Sequence, residues 1–139
     1  MKYSLYFIIL ITFIASCQSK TEKLLVKKWD CVKVENLDPV DTRFQTPEDS
    51  VKVAAVDAAM KSLSWTFNKD GSYNTTAAGR TIVQGIYFIN EKEKTLKLIT
   101  SVNSNTNYYT INTITENEMI LTSEVNRKNI VLRFLPSFQ

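Results

Sequence analysis

The chain has 139 residues, with 17 Lys and Arg against 14 Asp and Glu and a formal net charge of +3. That length bounds it to one domain, and cations scattered through turns (Lys69, Lys92, Lys94, Lys128) with acids between them exclude the one-sided basic face of a nucleic-acid binder. Histidine is absent and the two cysteines are Cys17 and Cys31, so no metal site, no cofactor and no catalysis are expected. The carboxylate pairs Glu91/Glu93 and Glu116/Glu118 lie in or beside turns, where acids are normally solvated, and three glycines make no phosphate-binding loop.

The N-terminus is an export signal. Lys2 supplies a positive start, Leu5 to Ile14 form an apolar run, and Ala15 and Ser16 are the small residues that a signal peptidase requires. The run is too short to span a bilayer, which takes roughly 20 residues. Ile14-Ala15-Ser16-Cys17 resembles the lipobox of bacterial lipoproteins. The resemblance implies that residues 1–16 are a signal peptide removed on maturation and that Cys17 carries diacylglycerol and a further acyl chain. Two or three chains hold a protein at a membrane where one holds it only reversibly. Gln18 in place of Asp, and the lack of an acidic cluster behind it, point to the periplasmic face of the outer membrane, with the cell surface as the alternative. With Cys17 lipidated, Cys31 has no disulfide partner and is expected to be a buried apolar filler. Residues 17–23 are then the lipidated cysteine and a short polar tether, and 24–139 the folded domain.

Within that domain, strand-like runs alternate with turns. The first is Trp29 to Asn36. Next, Thr46 is a good helix cap, Pro47 suits the first helical position, and Glu48 and Asp49 suit the positive end of the helix dipole. Val53, Val56, Met60 and Leu63 recur at helical spacing, so a helix is predicted at about 47–62. Asp49-Ser50-Val51 also resembles a short O-glycosylation acceptor of some bacteria. Leu63 to Asn68 places Leu63, Trp65 and Phe67 on one face. Asp70-Gly71 then predicts a hairpin, since both residues accept positive φ. Ser72 to Ala77 returns, Ala78-Gly79-Arg80 turns, and Thr81 to Asn90 follows, with a bulge or sharp bend expected at Gly85. Thr95 to Thr100, Tyr108 to Ile114, Glu118 to Ser123 and Asn129 to Leu135 complete eight strands, with a loop at 101–107. Links this short require antiparallel neighbours. The predicted fold is all-β: an eight-stranded antiparallel up-and-down barrel, closed so that no edge is left bare, with one helix inserted between strands 1 and 2.

Leu24 and Leu25 ahead of Lys28-Trp29, the hairpin TFNKDGSY, the run Gly85-Ile86-Tyr87-Phe88-Ile89 and the segment YYTINTITENEMIL together resemble the lipocalin-like domains of small bacterial lipoproteins. Two positions depart from the lipocalin pattern. Lys27 stands where lipocalins carry a glycine two residues before the tryptophan. Arg133, the one candidate for the arginine that stacks on that tryptophan, alternates with Leu132 and Phe134, which are expected to face inward, so either a bulge intervenes or the pairing is missing. The expected interior comprises Trp29, Trp65, Phe67, Tyr73, Tyr87, Leu96, Leu98, Tyr109, Ile111, Met119 and Leu121, with Ile89 beside them. An eight-stranded barrel is just wide enough to be filled by side chains or to hold one small ligand. The expected function is non-catalytic binding of a small apolar ligand. The alternative is a filled barrel that binds an envelope protein through loops at 38–46, 101–107 and 124–129, with Arg43 and Phe44 as contact residues.

Overall fold

The structure, a computed structural model, describes residues 18–36, 47–125 and 128–138. Cys17, Arg43, Phe44, Thr46 and the side chain of Ser50 lie outside them. Among the described residues ten elements follow one another: α1 (Lys20–Leu25), β1 (Lys28–Asn36), α2 (Pro47–Lys61), β2 (Leu63–Phe67), β3 (Ser72–Ala77), β4 (Arg80–Asn90), β5 (Thr95–Thr100), β6 (Thr106–Ile114), β7 (Met119–Val125) and β8 (Lys128–Pro136). The strands form a closed barrel in sequence order, each antiparallel to the next, and β8 pairs back onto β1. This is an up-and-down, lipocalin-like barrel with a helix between the first two strands.

Its turns show why the chain reverses where it does. At Asn68–Gly71, Gly71 has φ +83°. The Asp70 carboxylate accepts from the Ser72 amide (2.9 Å) and hydroxyl (2.6 Å), which holds the Asp70 carboxyl below its usual range. At the β3–β4 hairpin Ala78 and Gly79 both have positive φ (48° and 75°), the twist a two-residue hairpin needs. α1 was not among the predicted elements and begins within the segment expected to be tether. Ser19 caps it, its hydroxyl accepting from the Glu22 amide at 3.1 Å, so Lys20 to Lys23 belong to a helix rather than to the tether. The Thr21 amide also donates to the Glu91 carboxylate at 3.3 Å, which ties α1 to the β4–β5 turn.

Gly85 is not a bulge. It pairs in register with Tyr73 and Thr100, and the β3–β4 irregularity falls at Thr75/Thr76 instead. The glycine is required by close approach: a Cβ there would collide with the Ile99 carbonyl oxygen and lie 2.9 Å from Tyr73 Cε1. Further register shifts occur in β1 between Cys31 and Lys33 and in β6 between Ile111 and Thr113. Of the two possibilities for Arg133, both apply in part. A bulge does lie in the neighbouring strand, yet Arg133 points outward to Glu118 (3.4 Å) while Leu132 and Phe134 are buried. Lys27 takes the place of that arginine, its ammonium 5.1 Å from the Trp29 ring centre and bonded to the Glu116 carbonyl at 3.2 Å. Of the apolar stripe predicted on the inserted helix, Met60 and Leu63 are described, and both are half-buried against the core; the side chains of Val53 and Val56 lie outside the described ones.

Gly85→Ala is expected to destabilise the fold by at least about 2 kcal/mol, because backbone cannot yield as a flexible side chain can. Urea denaturation measures this. An unchanged midpoint would remove the close-approach account.

Candidate functional site

Strand alternation sends every second side chain inward. All eleven predicted interior residues take that side. Ten are buried, with exposures of 0–6%, and Tyr109 is half-buried. Four further core residues are Leu25, Cys31, Leu132 and Phe134. The last two follow from alternation about Arg133. Leu25 could be assigned only once α1 was known to fold under the barrel.

The lower part of the interior is closed by this packing. Trp29 is fully buried and its Nε1–H donates to the Leu25 carbonyl at 2.9 Å, so α1 plugs the end where β1 begins. Above it the rings interlock: Trp65 lies 5.0 Å from Phe134 and 5.4 Å, edge-on, from Tyr109, and Phe67 lies 5.3 Å, edge-on, from Tyr87. Edge-on contacts at these distances add to the burial of the rings. The Tyr87 hydroxyl donates to the Asn68 carbonyl at 2.8 Å, which locks the floor to the β2–β3 turn. At this end a pocket of about 240 Å³ opens beside α1, lined by Thr21, Ile89, Glu91, Lys94 and Ile111 among others. It is smaller than the roughly 300–1,000 Å³ of common ligand pockets.

The opposite end, next to α2, has an aliphatic rim. Val34, Met60, Leu63, Val83 and Ile130 are half-buried there, packed against the core without being sealed by it. Trp65 sits beneath Leu63 on β2, with Thr75, the one buried polar residue among those described, opposite it on β3. The Trp65 indole is 5% exposed, yet its Nε1–H has no hydrogen-bond acceptor among the described residues. This orphaned donor depends on neighbours from several strands and has no signal in the sequence. The arrangement offers an apolar rim, one unpaired donor and a neighbouring phenol. Cys31, the free cysteine among the described residues, is buried, with its Sγ 3.9 Å from the Lys33 carbonyl, and burial pushes its thiol up to about 11.

No protein-family model matches the chain, and no curated protein does. Among solved structures it is similar to a DUF4847 family protein from Bacteroides vulgatus ATCC 8482, with a TM-score of 0.55 and 14% identity over 87% of this chain and 99% of that one. An uncharacterised protein from Bacteroides eggerthii DSM 20697 is also similar, with a TM-score of 0.50 and 13% identity over 78% of this chain and 98% of that one. At such identities the likeness extends to the fold alone.

Burial, with Tyr73 adding in the same direction, pushes the Tyr109 phenol from 10.0 up to about 12; burial pushes the Cys31 thiol from 9.0 up to about 11. Both resist ionisation more in the fold than in the unfolded chain. The stability they contribute is present below about pH 9 and is lost as pH rises towards about 12. The thermal midpoint is therefore expected to fall across that window, and Tyr109→Phe to flatten the part of the fall above about pH 10. A slope untouched by the substitution would show that Tyr109 ionises as freely in the fold as outside it.

Proposed function

We propose that this chain is a non-catalytic envelope lipoprotein, held to the outer membrane through lipid on Cys17, whose barrel takes a small and largely apolar ligand at its α2 end. The observation that carries the ligand reading is the Trp65 Nε1–H, buried without an acceptor among the described residues, near an apolar rim that is half-buried. A buried donor left unpaired costs about 1–3 kcal/mol, and a ligand atom that accepts from it recovers that cost. The sealed floor limits how deep the ligand reaches. It must therefore be short, apolar along its length, and carry one acceptor such as a carbonyl, ester or carboxylate oxygen. The anchor rests on the Ile14-Ala15-Ser16-Cys17 motif behind the apolar run.

Native mass spectrometry of the mature chain purified from its own cells tests the ligand reading. A small organic species released on unfolding is expected, and Trp65→Phe should bind it roughly tenfold more weakly, the loss of about one hydrogen bond. A bare mass that persists after incubation with short fatty acids would end this reading. The anchor is tested apart from it. The intact mass is expected to exceed that of polypeptide 17–139 by a diacylglycerol and an acyl group, and Cys17→Ala should release the protein from the membrane fraction. Wild-type chain recovered with residues 1–16 still attached and no added mass would exclude lipidation.

A further inference from the structure

The outer wall of the barrel carries a second feature, which does not depend on the interior. Strands β3 to β6, together with Ala78–Gly79 and the loop 101–105 at their α2 end, contain no Asp or Glu. Their two charges are Arg80 and Lys97, and among the described residues neither has a carboxylate partner. On β4 the outward positions Ile82, Ile86 and Phe88 are each about half exposed, on the face opposite the inward Gly85 and Tyr87. Phe88 pairs with Lys97, and Lys97 with Tyr108, so three outward side chains stand in a row across β4, β5 and β6. The Lys97 ammonium lies 6.0 Å from the Phe88 ring centre and 5.8 Å from that of Tyr108. At the other end of the strip Ile82 and the 92%-exposed Val102 flank a cleft of about 480 Å³. Five of the nine large apolar side chains exposed among the described residues fall on this wall, and clustering of that kind marks an interaction surface where scattered exposure does not. From Ile82 to Phe88 the strip runs about 20 Å, at about 3.3 Å per residue.

We propose that this wall docks a different protein, through a strip of apolar side chains that carries a carboxylate for Lys97. Charge decides between the possible occupants. A second copy meeting wall to wall would set Lys97 and Arg80 against their own counterparts with no acid on either side, which is repulsive in a symmetric contact. A bilayer that took up the strip would bury Lys97 together with the Phe88 and Tyr108 rings that flank it at one end, whereas surface-bound proteins keep their cations at the polar margin. Strand addition is closed off, because β3 to β6 are paired on both sides. What remains is an apolar partner surface whose acid completes the cation already held between Phe88 and Tyr108.

The test uses the full chain in its own cells, with a benzoylphenylalanine photo-crosslinker placed at Ile86 and, as a control, at the exposed Val32 of β1, away from this wall. The expected result is one discrete protein adduct from Ile86 and none of that size from Val32. Mass spectrometry of the adduct should identify a partner peptide with an Asp or Glu among apolar residues. Lys97→Glu should lower the adduct yield at least tenfold without moving the thermal midpoint, and replacing that partner acid with Lys should restore it. An adduct of two copies of this chain, an adduct with lipid, no adduct, or a yield indifferent to Lys97→Glu would each overturn the proposal. None of these outcomes bears on the occupant of the barrel mouth.

Discussion

The pairing of β8 with β1 is the constraint on which the rest of this molecule depends. It runs from Trp29 opposite Pro136 to Asn36 opposite Ile130, with one shift in register between Cys31 and Lys33. In an open sheet of these strands, β1 and β8 would each present a row of unpaired amides and carbonyls to water. Closure removes both edges and also assigns every side chain to an inside or an outside. The shift at Cys31/Lys33 is what lets Cys31, opposite Phe134, and Val34, opposite Leu132, both lie on the inner side. Inner and outer walls then acquire separate chemistries, the first aromatic and sealed toward α1, the second apolar with isolated cations along β4 to β6.

Size governs the interior. An eight-stranded barrel is just wide enough for its own side chains or one small guest, and in this chain large rings and an aliphatic rim occupy different ends of it. Trp29, Phe67, Tyr87 and Phe134 fill the lower part, with α1 as its plug, whereas the α2 end is rimmed by half-buried aliphatic residues. The division follows from where the large rings fall in the register. Gly85 contributes to it directly, since the absence of a side chain there is what admits the Tyr73 ring against β4.

Strand positions were largely legible because local signals agreed with the global fold. Asp70-Gly71, the alternation of Leu63, Trp65 and Phe67, and Pro47 at the helix start each specify their own segment. Features that depend on distant neighbours were not legible. Gly85 read as a bend because sequence shows a missing side chain without showing the Ile99 carbonyl that requires it. Ser19 and Lys20 read as tether because six helical residues carry little periodicity, and their order comes from Glu91, far along the chain. The run Ile86-Tyr87-Phe88-Ile89 is apolar on both faces: alternation put Tyr87 and Ile89 inside, as the structure has them, but gave no sign that Ile86 and Phe88 form part of an exposed apolar wall. The unpaired indole of Trp65 had no local signal at all.

The bond between Thr21 and Glu91, with the Ser19 cap beside it, has a mechanical consequence. It clamps the first described helix rigidly to the barrel within a few residues of Cys17. Under the anchored reading proposed above, the lipid and the domain are then joined by almost no slack, and the barrel cannot swing freely as it would on a long flexible leash. On that reading it would stand upright, with the plugged end against the headgroups and the α2 mouth turned to the aqueous side. Guests would exchange with the surrounding water rather than with the lipid phase, and the β4–β6 wall would face sideways, toward neighbours held in the same plane.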